Sequence, residues 1–345
     1  VERQIQVNET ASQRRNLGTW RDQLRHAIRD PDELIDRLGL PEDVREAARS
    51  AAKQFGLVVP ESFVARMQKG DLADALLAQV LPVAAEVTAT EPSFVADPCG
   101  EADAVRAPGL LQKYHGRALL IVASVCAVAC RYCFRRHFPY HDSPAGLAQW
   151  QPALDELRRS GDVEEVILSG GDPLVRPDRW LAELVEQLED ISHIRRLRIH
   201  TRLPIVIPDR VDNALLEWLG ATRLAPTVVV HSNHPNEIDS SCSAALLRLV
   251  KNGVPVLNQT VLLRGVNDDA DTLTELSKRL LDARVMPYYL HQLDPVSGAH
   301  HWEVPVTRGQ ELIAQLRRRL PGFGVPRYVR EVVGEAHKVE FAPIS

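Results

Sequence analysis

From about residue 117 onward, short apolar runs alternate with longer amphipathic stretches. The apolar runs fall at 119–122, 165–168, 196–200, 227–231, 256–260 and 286–290. Each has the length of a strand. Between and after them, stretches near 150–160, 178–190, 211–219, 240–252, 270–284 and 307–319 repeat their apolar positions at helical spacing. Six repeats of strand then helix predict a parallel sheet, because right-handed crossovers return each strand beside the last. That count is too small for a closed eight-stranded barrel. A partial (β/α)6 barrel fits, and a flat doubly wound sheet is the alternative.

The first hundred residues follow a different rule. Trp20, Leu24, Ile28 and Leu34, then Val44, Ala47, Ala48 and Ala51, recur at roughly helical intervals. Asp30-Pro31 and Leu40-Pro41 read as helix starts. The expected organisation is a helical N-terminal extension over 1–105, a barrel over 106–320 and a C-terminal segment over 321–345. The extension carries no recognisable catalytic cluster, and its bland reading is a helical cap.

Composition narrows the class. The chain has 345 residues, of which 45% are hydrophobic and 25% charged, as in ordinary globular proteins. The formal net charge of −5 weighs against nucleic acid as a main partner. No apolar run reaches the roughly 20 residues that span a bilayer. The first residues, with Glu2, Arg3, Arg14 and Arg15, lack a signal core. These features predict no membrane partner and a cytoplasmic location. The five cysteines, Cys99, Cys126, Cys130, Cys133 and Cys242, do not suggest a disulfide framework.

Three of them form Cys126-Ala127-Val128-Ala129-Cys130-Arg131-Tyr132-Cys133, a C-x3-C-x2-C, directly after the first predicted strand. Active sites of parallel α/β folds gather at that edge. Three thiolates can ligate three irons of a [4Fe–4S] cluster and leave the fourth open. A zinc site completed by His137 and a set of packing cysteines are the competing readings. The spacing, with an aromatic residue before the third cysteine, resembles the radical S-adenosylmethionine (SAM) superfamily. That resemblance implies that Ser169, Gly170, Gly171 and Asp172, after the second strand, help to receive SAM. A tight turn is the alternative reading of the two glycines.

The resemblance extends further. CRYCFRRHFPY (130–140), LRIHTRLPIVIPDR (197–210), HSNHPNEI (231–238), LNQTVLLRGVND (257–268) and YYLHQLDPVSGAHH (288–301) are similar, in order, to the lysine 2,3-aminomutase family. The family likeness implies pyridoxal phosphate (PLP) carried as an imine on Lys338, with Tyr114 near its ring and Arg117 near its phosphate. It implies that Arg135 holds the substrate carboxylate, and that Arg202, His231 and Gln259 contact SAM. It further implies that Asp294 and Glu331 hold the ε-ammonium of L-lysine, where a glutamate-specific relative should lack both acids. A desolvated cation requires such pairing.

Two departures point to a branch. The family's glycine-rich segment before the PLP lysine is mostly replaced by Glu335-Ala336-His337, and no cysteine follows Cys242, whereas the longer catabolic enzymes carry a cysteine-bearing tail. Both resemble the elongation factor P (R)-β-lysylation proteins. That branch implies a lysyl ligase and elongation factor P downstream, and an external one-electron reductant. The alternatives are a free lysine 2,3-aminomutase and, in another class, a non-catalytic Fe–S or zinc-binding regulator. Cys99 and Cys242 receive no role.

Overall fold

A computed structural model describes residues 17–88 and 91–344. The acidic and basic residues cited above at positions 2, 3, 14 and 15 lie outside these. Ten strands form one sheet whose spatial order follows chain order from β1 to β10. They are β1 (Val105–Ala107), β2 (Leu110–Tyr114), β3 (Arg117–Ala123), β4 (Glu165–Gly170), β5 (Arg196–Thr201), β6 (Ala225–His231), β7 (Val256–Val261), β8 (Met286–His291), β9 (Arg327–Arg330) and β10 (Val339–Glu340). From β3 to β9 every neighbouring pair is parallel. The antiparallel pairs β1–β2, β2–β3 and β9–β10 extend the two ends.

This order decides between the two architectures left open above. A doubly wound sheet reverses its strand order to place helices on both faces. Here the order never reverses, so successive right-handed crossovers lay their helices on one face and the sheet curls with them outside. The result is a partial (β/α)6 barrel with one further parallel strand, β9. That strand was not predicted, because four residues with Arg327 and Arg330 at its ends give no apolar run.

The crossover helices are Gln151–Arg159, Asp178–Glu189, Asn213–Ala221, Ser240–Lys251, Ala270–Asp282 and Val306–Arg319. Ala270–Asp282 illustrates their logic. Asp269 caps its N-terminus by accepting from the Thr272 N–H, and Leu273, Leu276 and Leu280 form its buried stripe. Along β5 the burial alternates: Leu197, Ile199 and Thr201 are buried among the helices, while Arg198 and His200 face the other way, into the barrel.

Among the described residues, the N-terminal region opens with the helices Trp20–Arg25, Pro31–Leu38 and Arg45–Gln54. The helix Pro31–Leu38 is capped by Asp30, has Pro31 in its first turn, and ends at Gly39 with φ 63°. Beyond Gln54 it consists of single turns, at Glu61–Val64, Ala75–Ala78 and Ala85–Thr88, rather than long helices. One hydrophobic core runs without a break from Trp20 and Leu34 to Ile199 and Leu246. The N-terminal layer therefore packs into the same core as the barrel helices. Among the described residues no helix is long and apolar enough to cross a membrane.

Candidate functional site

Most of the sequence-predicted residues collect at one edge of the sheet, whereas Tyr114 ends β2 and Arg117 begins β3, at the amino end of the parallel strands. Cys126, Cys130 and Cys133 lie in the loop after β3, and Ser169 and Gly170 end β4. Arg202 follows β5, His231 ends β6, Asp294 follows β8 and Glu331 follows β9. Gln259 lies on β7 in register with His231. Functional side chains of parallel α/β folds occupy that carboxyl edge.

The three cysteines are half-buried free thiols. Burial, then the neighbouring thiols, push Cys126 well up, and burial followed by Cys130 pushes Cys133 up to about 12. Thiolates are the ligand form, so iron would supply the charge that holds these sulfurs deprotonated. No three His, Cys, Asp or Glu side chains among the described residues converge on a single ion. In a cubic cluster each thiolate binds a different iron, so such convergence is not required.

The loop is bound to the rest of the protein by arginines. Arg135 makes a two-pronged pair with Glu101, Nε to Oε2 at 2.7 Å and Nη2 to Oε1 at 2.6 Å. Its Nη1 donates to Ser169 Oγ at 2.9 Å and to the Gly170 carbonyl at 3.3 Å. Arg135 thus has most of its donors engaged by the chain itself. Arg202 donates from Nη1 to Cys130 Sγ at 2.8 Å, and from Nη2 to Gln79 at 2.6 Å and Glu237 at 2.9 Å. Asp172 turns both oxygens on its own chain. One accepts from the Leu174 N–H and the Thr201 hydroxyl, the other from the N–H groups of Arg202 and Leu203. Asp172 therefore positions Arg202.

The two glycines answer a close backbone approach. A Cβ on Gly170, whose φ is 114°, would lie 2.4 Å from the Ala123 carbonyl, and one on Gly171 would lie 2.4 Å from that of Val125. The Gly171 and Asp172 N–H groups donate to those carbonyls, at 2.7 and 2.9 Å. The neighbour here is the start of the cysteine loop.

Around His231 the residues form a buried polar network. His231 Nε2 lies 2.8 Å from the Tyr132 hydroxyl, and Asn233 Nδ2 donates to Tyr132 at 2.6 Å and to Gln79 at 3.0 Å. Burial, reinforced by Arg202, pushes His231 down to about 3, so the ring is neutral.

At the other end, Glu331 accepts from the Lys338 ammonium, from Tyr114 Oη at 2.6 Å and from Lys113 Nζ at 3.2 Å. Opposing its burial, Lys338 is the main cause that holds Glu331 down at about 2. Burial raises Asp294 to about 6 even though Lys338 and Lys113 lie near it. The Arg117 guanidinium stacks 4.6 Å from the centre of the Tyr114 ring. His200 connects the two ends. Burial holds it neutral, and Arg198, Lys338 and Arg135 all act on it in the same direction. One imidazole is thus within electrostatic reach of both the cysteine-loop arginine and the terminal lysine. Its Nε2 is buried without a partner, as is Nε of Arg202 beside Cys130. Two orphaned polar atoms, on the residue beside Cys130 and on the one between the two ends, fit a bound polar group there.

Sequence reasoning missed the residues that hold this site from afar. Gln79, Glu86, Glu101 and Glu237 are all buried, and all but Glu237 come from the N-terminal layer. Each looks like an ordinary helix or loop residue in sequence.

The Radical SAM superfamily matches residues 120–276. An L-lysine 2,3-aminomutase of Escherichia coli K12 is 48% identical, over 92% of this chain and 93% of its own. An L-lysine 2,3-aminomutase of Haemophilus influenzae is 44% identical, over 95% and 97%. A solved radical SAM methyltransferase from Sphaerobacter thermophilus, 20% identical, superposes with a TM-score of 0.44 over 64% of this chain and 68% of its own. Fold and motif define a radical SAM enzyme, which works with SAM and a [4Fe–4S] cluster. The chain belongs to the lysine 2,3-aminomutase family and is an isomerase of the aminomutase type.

Proposed function

We propose that this enzyme moves the α-amino group of L-lysine to the β-carbon, with PLP carried on Lys338 and the cluster on Cys126, Cys130 and Cys133. The observation that carries the choice of lysine is an acidic pocket that already takes an ammonium. Glu331 accepts from Lys338, and Asp294 lies within reach of the same charge. A substrate ε-ammonium entering that pocket exchanges water for paired carboxylates, the condition under which a buried cation is tolerated.

When bound, the groups supply one-electron bond cleavage and an electron-accepting carbon–nitrogen π-system. The chain's own residues bind and orient. Arg202 donates to Cys130 and fixes the position of its sulfur. Ser169, Gly170 and Gly171 hold the cysteine loop against the end of β4, with Asp172 fixing Arg202; His231 and Gln259 face SAM. Tyr114 and Arg117 line the PLP side. Arg135 offers its remaining N–H to the substrate carboxylate, with Glu101 keeping the guanidinium plane in place. Such positioning is what converts bound partners into reacting ones.

The finer reading is that the product is (R)-β-lysine, which a separate lysyl ligase transfers to elongation factor P. Glu335-Ala336-His337 before Lys338 supports that branch. An external reductant supplies the electron, and the setting is the cytoplasm, where thiols stay reduced.

The test is anaerobic reconstitution with iron, sulfide and PLP, followed by incubation with SAM, a reductant and either lysine, ornithine or glutamate. Lysine should give β-lysine, with chiral analysis assigning the hand. Preference for glutamate would overturn the substrate, and no lysine turnover by the loaded protein would overturn the reaction.

A further inference from the structure

Behind the cysteine loop lies a cluster of charges that none of the roles above uses. Arg131, between Cys130 and Cys133, makes a two-pronged pair with Glu86, Nε to Oε1 at 2.9 Å and Nη2 to Oε2 at 2.6 Å. Arg136, three residues beyond Cys133, donates to the same Oε2 at 2.8 Å. The side chains of Arg131 and Glu86 are 0% exposed and that of Arg136 is 1% exposed. The Phe55 ring lies 4.8 Å from each guanidinium. Arg131 also donates to the Phe55 carbonyl at 2.7 Å, and Arg136 to the Arg131 carbonyl at 3.1 Å.

The charges do not balance. Arg135 is matched by Glu101, and Arg202 by Glu237. Arg131 and Arg136 share the one carboxylate of Glu86, which leaves one positive charge uncompensated (two cations, one anion). Burying such a charge is costly unless a nearby anion answers it. The thiols sit within its reach, for Arg131 directly follows Cys130 and the Arg136 N–H donates to the Cys133 carbonyl at 3.1 Å.

We propose that Glu86, Arg131 and Arg136 form a charge-setting clamp for the [4Fe–4S] cluster, in which Glu86 fixes the cysteine loop and limits the positive charge behind it to one. The inference rests on the iron–sulfur reading and concerns the cluster's reduction, not the substrate. Reduction adds an electron, so positive charge nearby favours the reduced form, and burial strengthens the effect. Glu86 is a positioning residue, since it acts through the two arginines.

The experiment is a reductive titration of the reconstituted cluster, read by its visible absorbance and by electron paramagnetic resonance, in four proteins. Wild type has a clamp charge of one, Glu86→Gln two, Arg136→Gln zero, and the double variant one. Glu86→Gln should raise the reduced-to-oxidised ratio at fixed potential by roughly tenfold, Arg136→Gln should lower it by a similar factor, and the double variant should return close to wild type. A purely structural role would weaken cluster binding in all three variants without opposite shifts, and that pattern would overturn the proposal. If Glu86→Gln does not fold, Arg136→Gln decides alone, and an unchanged or raised ratio overturns it. A wild-type protein that takes up no cluster would instead sink the iron–sulfur reading itself, and this inference with it.

Discussion

Arg202 holds a guanidinium nitrogen 2.8 Å from the sulfur of Cys130. The same guanidinium pairs with Glu237, and their side chains are 6% and 0% exposed. This arginine therefore joins a buried ion pair to a candidate iron ligand. Arg202→Leu should lower stability by about 3–5 kcal/mol, because Glu237 keeps its charge in a fully buried position. Denaturant titration measures that loss, and iron per chain should fall with it. Arg202→Lys, which keeps the charge but not the planar fork, should recover part of the stability and less of the iron. Wild-type stability in Arg202→Leu would mean that Glu237 finds another partner.

The acidic pocket predicts a pH dependence. Burial raises Asp294 to about 6, so its carboxylate is charged above that pH and protonated below it. A substrate ammonium needs the charged form. The KM for lysine should therefore rise as pH falls through about 6 and level off above about 7. Asp294→Asn should raise KM by about ten- to a hundredfold at neutral pH, the scale of a lost charged hydrogen bond, and should flatten the profile. A KM that stays level from pH 5 to 8 in the wild type would remove Asp294 from the pocket.

Lys338 and Cys130 should separate the two cofactors. Lys338→Ala leaves the cysteine loop intact, so it should bind iron normally but lose the absorbance band of a PLP–lysine imine. Cys130→Ala should do the reverse, with the iron-dependent visible absorbance gone and the imine band present. The readout is the spectrum of each reconstituted protein. An imine band that survives in Lys338→Ala would put PLP on another amine.

The parallel strands β3 to β8 were legible because each apolar run is bounded by an amphipathic helix, and the period changes at every boundary. β9 was not, since its apolar content is only Tyr328 and Val329. β1 and β2 were missed because they are short antiparallel strands at one end of the sheet, where β2 pairs with β3 and β1 with β2. The cysteine motif is local, so spacing revealed it. Its supports are not local: Glu86 meets Arg131 across 45 positions, and Gln79 meets Arg202 across 123. An acid on a single helical turn looks solvated until the fold brings an arginine to it. The resemblance of its turn to that of radical SAM proteins implies that Asp172 helps to receive SAM; that one of its oxygens also accepts from the Arg202 and Leu203 N–H groups is legible only once the β5 end is folded beside it.

The glycines offer a last test that separates packing from ligand contact. A Cβ on Gly171 would sit 2.4 Å from the Val125 carbonyl oxygen and 2.8 Å from its nitrogen. Both are backbone atoms, so no side chain can turn aside, and Val125 directly precedes Cys126. Gly171→Ala should therefore cost about 1–3 kcal/mol through overpacking and should displace the first cysteine. Gly146 is the control, for nothing lies within 4 Å of a Cβ built there. Gly146→Ala should leave stability within about 0.5 kcal/mol of wild type. Thermal unfolding without SAM, together with iron content, measures both variants. If Gly171→Ala matched Gly146→Ala in both, the cysteine loop would be yielding freely, and the two glycines would have to be explained by what binds against them.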